Sequence, residues 1–106
     1  MDRAIRKYVK RAYRGATLLD EKATKEWVGH IELNTVDIES CHSCILGQGY
    51  GSYSGGLISL GVNAYKAYKY GFDLHVREIS ADGYRTLTEA WRKVITHLRR
   101  QRTQQR

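Results

Sequence analysis

One apolar stripe near the end of the chain constrains the fold more than any other feature. Its members recur every three or four residues, and they are Tyr84, Leu87, Trp91, Val94, Ile95 and Leu98. Side chains at this spacing share one face of an α-helix, so the stripe predicts a helix with that face buried. Ser80 or Asp82 can act as its N-cap, since short polar side chains accept hydrogen bonds from the first free amides of a helix. The rest of the chain must then supply a surface that covers the stripe.

The other end of the chain predicts a second long helix, over residues 3–22. Its apolar residues recur at the same spacing, and they are Ile5, Tyr8, Val9, Ala12, Ala16 and Leu19. Lys and Arg fill the remaining faces, as in a helix with one buried side. Gly15 weakens the middle of this helix because glycine has a low helix propensity. We therefore expect two amphipathic helices that both pack on the segment between them.

Glycines mark the turns in the segment between these helices, since the chain has ten glycines and no proline. It predicts three short helices, over residues 41–47, 53–60 and 63–70. Two further pieces, 26–33 and 74–78, have the alternation of short strands, and their pairing in a two-stranded β ladder is an open alternative. The expected fold is mainly α, with four to five helices.

Length and composition favour one domain. Of the 106 residues, 42% are hydrophobic, which is enough apolar material for a single core. We expect this domain to cover residues 1–100 and the basic, polar stretch 101–106 to fray, because it has no apolar residue. The apolar run 57–60 is far too short to cross a bilayer, and the charged start of the chain lacks the apolar centre of an export signal. A cytoplasmic protein without a membrane partner is expected.

Positive charge is concentrated at the two ends of the chain. Residues 1–14 carry six Lys or Arg and one acid, a net charge of +5, and residues 85–106 carry seven Lys or Arg and one acid, a net charge of +6. Residues 15–84 carry five Lys or Arg and nine acids, a net charge of −4, so the total is +7. Such asymmetry indicates contact with a polyanion, although solvation of two terminal helices explains it equally well. If the helices lie side by side, their outward cations merge into one electropositive surface. The candidate contact residues are Arg3, Lys7, Lys10, Arg14, Lys66, Lys69, Arg92 and Arg99.

The sequence Cys-His-Ser-Cys at 41–44 has the spacing of one half of a zinc site, and the other half is missing. A site that adds His30 and His75 to Cys41 and Cys44 is a weak alternative. We expect both cysteines to fill core space as compact apolar groups, without a metal or cofactor. An enzyme would need Cys44 to meet one of these histidines as its base, and nothing in the sequence brings them together, so enzymatic activity is not expected.

The glycine-rich stretch 47–51, Gly-Gln-Gly-Tyr-Gly, does not have the pattern of a phosphate-binding loop. The dinucleotide fingerprint needs a preceding strand and a third glycine where Ser52 stands. A Walker loop needs Gly-Lys-Ser/Thr, and the nearest downstream lysine is Lys66. The glycines instead predict sharp turns and close approach of backbones.

Residues 54–71 have the outline of a helix-turn-helix. An apolar helix is followed by Gly61 at the turn and by a second helix that carries Lys66 and Lys69. The match is imperfect, because Leu57 stands where the motif prefers a small residue. The tyrosines of the second helix also fit a helix that packs in the core.

Four stretches of the chain carry a resemblance, and they are LDEK, EWVGHIELNTVDIESCHSCILGQGYGSYSGGLISLGV, AYKYGF and YRTLTEAWRKVI. Their order and spacing resemble a family of small proteins of unknown function from actinobacteriophages and actinobacterial genomes. The shared pattern includes a Trp, an Ile-x-Leu segment, Cys-Ile-Leu-Gly-Gln, Gly-Phe and a final Leu-Thr-x-x-Trp helix, and it covers about residues 15–98. The resemblance implies a phage accessory protein that works in a bacterial cytosol, and it implies no activity.

Two classes of function remain. The expected one is a non-enzymatic phage protein that binds and modulates a host protein, since eight tyrosines and two tryptophans supply the aromatic surface that interfaces favour. The alternative is a small basic nucleic-acid-binding protein of helix-turn-helix type. A homodimer is compatible with both.

Overall fold

Both long amphipathic helices are present, and they pack against each other. The computed structural model describes residues 3–104. Its α-helices are α1 (Arg3–Lys22), α2 (Trp27–His30), α3 (Ile45–Tyr50), α4 (Tyr53–Leu60) and α5 (Ala81–Gln104), and two 3-10 segments span Ala64–Tyr70 and Val76–Glu78. The α1–α5 contact is the most extensive between any two of these elements. The expectation of a mainly α fold is confirmed.

Helices α1 and α5 run in the same direction. Near the start of the pair, Glu78 forms an ion pair with Arg11 of α1. Near its end, Arg102 of α5 forms an ion pair with Asp20 of α1. Since the two helices are parallel, the segment between them must return along the bundle, and it does so in short helices and turns. None of the helices in residues 3–104 combines the length and the apolar character needed to cross a bilayer.

The alternative of a β ladder is wrong for the part of the chain that the structure describes, which has no strand. Residues 26–33 contain α2, and residues 74–78 contain a 3-10 segment. Trp27 and Val28 are consecutive and both buried, which a helical turn permits and a strand with one buried face does not.

Trp91 lies at the centre of the core. It is fully buried, together with Leu87, Val94 and Ile95 of the same stripe. Its ring stacks on Phe72 with a centroid distance of 6.0 Å and meets the edge of Trp27 at 6.3 Å. Its indole N–H donates to the carbonyl of Gly71. One side chain therefore connects α5 with α2 and with the segment that follows the 64–70 helix.

Two glycines let the 64–70 segment approach α1 backbone to backbone. A Cβ at Gly15 would lie 2.1 Å from the Tyr70 carbonyl oxygen and 3.0 Å from the Trp91 ring. Gly71 has φ of +71° and would place a Cβ 2.9 Å from the Ala12 amide nitrogen. Gly15 weakens α1 as an isolated helix, and this contact explains why a glycine is needed there.

The short helices differ from the expectation in detail. Helix α4 has the predicted bounds. The helix expected at 41–47 begins later, at Ile45, because Cys44 is its N-cap and accepts a hydrogen bond from the Gly47 amide at 3.2 Å. The helix expected at 63–70 is a 3-10 helix, capped by Asn63. Ser80 is the N-cap of α5, since its hydroxyl accepts from the Gly83 amide at 2.9 Å.

Helix α5 is longer than expected. Residues 101–104, which we expected to fray, are helical. Arg102 holds this turn in place by donating to both carboxylate oxygens of Asp20, at 2.9 and 2.8 Å, and to the carbonyl of Lys25. The last two residues of the predicted tail, 105 and 106, lie outside the described residues.

Candidate functional site

The outer surface of α1 is lined by cations. Tyr8, Ala12, Ala16 and Leu19 are buried. The helical period then turns the intervening cations away from the core, and the exposed ones are Arg3, Arg6, Lys7, Lys10 and Arg14. We call these five residues the α1 basic face. Residues 3–14 of α1 include no Asp or Glu, and the two acids of this helix, Asp20 and Glu21, lie in its last turn, beyond this face.

The 64–70 segment adds to this surface, because it packs along α1. Lys66 and Lys69 are exposed on it, and the ring of Tyr65 is 90% exposed. The contact is fixed in part by Arg11, whose guanidinium lies 5.2 Å from the centre of the Tyr68 ring. An exposed aromatic ring next to a lysine is a common element of nucleic-acid interfaces.

The outer side of α5 contributes cations at its second half. Lys93 and Arg100 are exposed, and they line an open cleft of about 310 Å³ with His97 and Thr96. The edge of the His97 ring meets Tyr13 of α1 at 6.2 Å, so this cleft borders α1. Arg6, Lys93 and Arg100 were not among the candidates. Arg6 precedes Lys10 by four residues, a spacing that could have identified it.

Arg92 and Arg99 were expected to face outward, but both are half-buried, although Arg92 still lines the cleft with Lys93 and Arg100 and pairs with Glu89. Arg99 donates three hydrogen bonds to main-chain carbonyls, two to Val28 and one to Ile31, at 2.6–3.0 Å. Arg92 donates to the carbonyls of Leu33 and Val36. Val28 lies in the one-turn helix α2 and the other accepting residues lie in the segment after it, and the arginines supply donors to these carbonyls.

Lys7 is partly neutralised, unlike the other residues of the α1 basic face. Its ammonium lies 2.7 Å from Glu78, which also accepts two hydrogen bonds from Arg11. Burial raises the pKa of Glu78, but the hydrogen bonds from Arg11, Lys7 and the His75 amide outweigh burial and lower it from the ordinary 4.5 to about 2. Glu78 is therefore ionised in the folded protein down to strongly acidic pH.

Replacing Glu78 with glutamine is expected to lower the free energy of unfolding by about 1 to 3 kcal/mol at neutral pH. Because the folded pKa lies below the unfolded one, this stabilisation is present above about pH 4.5 and is lost as the pH falls towards 2. Urea denaturation of the wild type and the variant at several pH values measures the difference. The control is Asp82→Asn, which removes an exposed ion pair with Arg85 and should cost little at any pH. A difference for Glu78 that stays constant down to pH 3 would contradict the assignment.

The two cysteines have different environments. Cys44 is buried at the start of α3, and burial raises the pKa of its thiol. Cys41 is exposed, so the expectation that it fills core space is wrong. His30 is exposed, and His75 caps the 76–78 turn by accepting from the Arg77 amide. Within residues 3–104, no three His, Cys, Asp or Glu side chains come together as metal ligands, so the weak alternative of a Cys41, Cys44, His30, His75 site is not assembled.

Thiol labelling should separate the two cysteines. We expect a thiol reagent to modify Cys41 rapidly in the folded protein and Cys44 only after unfolding, because thiolate character and access both control the rate. Mass spectrometry of peptides after brief exposure measures each site. Cys41→Ser is expected to change the stability by less than about 0.5 kcal/mol, and Cys44→Ala to lower it by about 1 to 2 kcal/mol. Equal labelling of both thiols would show that α3 opens readily.

The helix-turn-helix interpretation of residues 54–71 is wrong. After α4 the chain turns at Gly61 and continues as the 3-10 helix at 64–70, where the motif requires an α-helix that enters the major groove. The segment packs along α1, and its Ala67 is fully buried. Lys66 and Lys69 keep their exposure, so they remain available to a polyanion without this motif.

A carboxylate between two tyrosines was not found by sequence reasoning. Asp73 accepts hydrogen bonds from the hydroxyls of Tyr53 at 3.2 Å and Tyr84 at 2.9 Å. The pKa of Tyr53 is raised, first by burial and then by the charge of Asp73. The pKa of Tyr84 is raised to about 12, first by burial and then by the hydrogen bond to Asp73. Both phenols are therefore protonated donors at neutral pH. The arrangement joins the start of α4 to the start of α5, and it provides no activated base or nucleophile.

No protein-family model, curated protein or solved structure matches the chain. The fold and the surface together define a small, mainly α protein with a basic outer face. The resemblance to the actinobacteriophage family stays a prediction.

Proposed function

We propose that the protein is a non-enzymatic binding protein whose α1 basic face and neighbouring lysines contact the backbone of a nucleic-acid duplex. The observation that carries this proposal is the α1 basic face itself, five exposed cations with no acid on the same stretch of helix. Exposed cations of two elements that pack on α1 add to it, Lys66 and Lys69 of the 64–70 segment and Lys93 and Arg100 of α5. Contacts of this kind recognise phosphate and shape, and they carry no sequence preference.

The size of the surface sets the expected strength of binding. From Arg3 to Arg14 the helix rises about 16 Å, at about 1.5 Å per residue. About four phosphate contacts along this length would give weak, salt-sensitive binding. Each neutralised phosphate contributes about 0.9 to the slope of log affinity against log salt, so affinity should fall roughly hundredfold between about 50 and 200 mM salt.

A host protein is the second candidate, and a specific observation supports it. Among the residues that the structure describes, four large apolar side chains are exposed, and they are Ile58 at 81%, Tyr65 at 90%, Val76 at 74% and Ile79 at 58%. Exposed aromatic and branched residues are typical of protein-binding surfaces. The sequence alone favoured this candidate. We rank the duplex first because the cations form a connected surface along α1, whereas the four apolar residues are distributed over α4 and three later segments. For both candidates, the resemblance to the actinobacteriophage family predicts that the protein works in an infected bacterial cell.

Fluorescence anisotropy with a labelled DNA duplex tests the proposal at low and near-physiological salt. The test variant carries Lys10→Glu and Arg14→Glu, both exposed on the α1 basic face. The control carries Lys25→Glu and Arg85→Glu, which are exposed elsewhere and change the net charge by the same amount. We expect the test variant to lose most of the affinity and the control to lose little. An equal loss of duplex affinity in the two variants would show that only the net charge matters. If the wild type did not bind the duplex at low salt, a host protein would be the favoured partner.

A further inference from the structure

The geometry points to a second, independent binding site: a cleft at the end of α1 that takes a small aromatic carboxylate. The cleft has a volume of about 340 Å³ and lies between the last turn of α1, helix α2 and helix α3. Its apolar lining includes Leu19, Trp27, Ile31 and Ile45, and polar groups stand at its edge. A volume of this order and an apolar wall with few polar groups are typical of small-molecule sites.

The walls of the cleft are held in place by contacts on their far sides. The Trp27 indole N–H donates to Asp20 at 2.8 Å, and its ring meets Trp91 in the core. Gln48 accepts from the Glu32 amide at 2.6 Å and donates to the Ser43 carbonyl at 3.0 Å, which fixes α3 to the segment after α2. The Trp27 indole N–H and the Gln48 amide are thus engaged within the fold, and the apolar side chains of the lining are held in fixed, largely buried positions. A preformed site of this kind loses little entropy when it binds a rigid molecule.

The charge at the edge selects the class of ligand. Lys22 lines the cleft and is exposed, and among the described residues no carboxylate lies within ion-pair distance of it. His30 also lines the cleft. Lys22 is therefore the cation available to a carboxylate, while the indole of Trp27 and the isoleucines contact an apolar ring. A molecule with an aromatic body and one carboxylate fits both requirements.

Gly49 provides a variant that fills the cleft without damage to the fold. It lines the cleft, follows Ile45 by four residues on the same face of α3, and has no atom within 4 Å of the position of an added Cβ. Leucine at this position would occupy the cleft, and it favours a helix more than glycine does. Gly29 is the matched control, since it is also helical and open around its Cβ but does not line the cleft.

The experiment titrates the folded protein with phenylpropionate and with its neutral amide, phenylpropionamide, and follows main-chain amide signals by NMR. We expect phenylpropionate to shift the signals of Trp27, Ile31 and Ile45 at millimolar concentration, and the amide to bind at least about tenfold more weakly. Gly49→Leu should abolish the shifts, and Gly29→Leu should keep them. Lys22→Gln should make acid and amide equal, whereas Lys25→Gln, exposed outside the cleft, should preserve the difference.

The outcomes separate this site from the basic face. Binding of phenylpropionate should be unchanged in the variant with Lys10→Glu and Arg14→Glu, because neither residue lines the cleft. Binding that survives Gly49→Leu, or shifts that map to α1 cations instead of the cleft, would overturn the assignment of the site. Equal binding of acid and amide by the wild type would overturn the assignment of a carboxylate. No shift with either probe would overturn both.

Discussion

Replacing Trp91 with alanine is expected to lower the free energy of unfolding by about 3 to 5 kcal/mol, the usual cost of removing a buried aromatic side chain. Trp91 is fully buried, stacks on Phe72 and contacts Trp27 edge to face. Its removal leaves a cavity where α5, α2 and the 72–74 segment meet, and it leaves the Gly71 carbonyl without its donor. Domains have a total stability of about 5 to 15 kcal/mol, so this loss removes a large share of the stability and should lower the melting temperature strongly.

Chemical denaturation followed by circular dichroism measures the loss. Trp91→Phe is the informative comparison. It keeps one aromatic ring, removes the indole donor and part of the buried volume, and should cost less than the alanine variant. Val76→Ala, at a side chain that is 74% exposed, should stay within about 0.5 kcal/mol of the wild type. If Trp91→Ala melted like Val76→Ala, the α5 stripe would not be the centre of the core.

Replacing Arg99 with alanine is the second large effect, expected at about 2 to 4 kcal/mol. Arg99 makes three hydrogen bonds to the carbonyls of Val28 and Ile31. Without the guanidinium these carbonyls lose a charged donor. A hydrogen bond to a charged group contributes about 1.5 to 3 kcal/mol net, and the expected loss is less than three such contributions because water reaches the half-buried site. The segment after α2 should then loosen from α5. Hydrogen exchange of the amides at 28–36 would detect this directly.

Arg100 supplies the matched control, because it follows Arg99 in α5 and is exposed. Arg100→Ala removes the same charge and should change the stability by less than about 0.5 kcal/mol. Arg99→Lys should recover only part of the loss, since an ammonium group cannot reproduce the planar set of donors that contacts two carbonyls. Equal effects of the two alanine variants would show that Arg99 acts only through its charge.

The position of Arg99 also changes how the basic surface must be tested. A glutamate at Arg92 or Arg99 would break main-chain contacts, and any loss of nucleic-acid binding would then report on folding. Substitutions at Lys10 and Arg14 avoid this difficulty, because both side chains are exposed and take part in none of the ion pairs among the described residues.

The two long helices could be predicted because their pattern is local. In α1, the residues expected to face the core from Tyr8 to Leu19 are buried or half-buried, and Arg3, Lys7, Lys10 and Arg14 are exposed as expected. The same holds for the apolar stripe of α5. An amphipathic period of 3.6 residues determines which side of a helix is buried, whatever the helix packs on. This is also why the α1 part of the candidate site was found from the sequence.

The period does not determine what a polar residue at the border of the buried side will do. Arg92 and Arg99 lie at that border in α5, and only the neighbouring loop with unpaired carbonyls turned them inward. Cys41 and Cys44 are three residues apart in sequence, and only the start of α3 buries one and leaves the other exposed. Such outcomes depend on which distant segment needs a donor or leaves a space, and no local pattern contains that information.

The sequence by itself determined the class of fold, the two amphipathic helices and the excess of positive charge at both ends, since these follow from composition and from spacing within one element. The tertiary structure decided the parallel course of α1 and α5, the 3-10 form of the 64–70 segment and the cleft beside Lys22. It did so because Gly15 and Gly71 let backbones approach and because Trp91 joins three segments that are far apart in the chain. Contacts between distant residues select one arrangement among several that the local patterns allow equally.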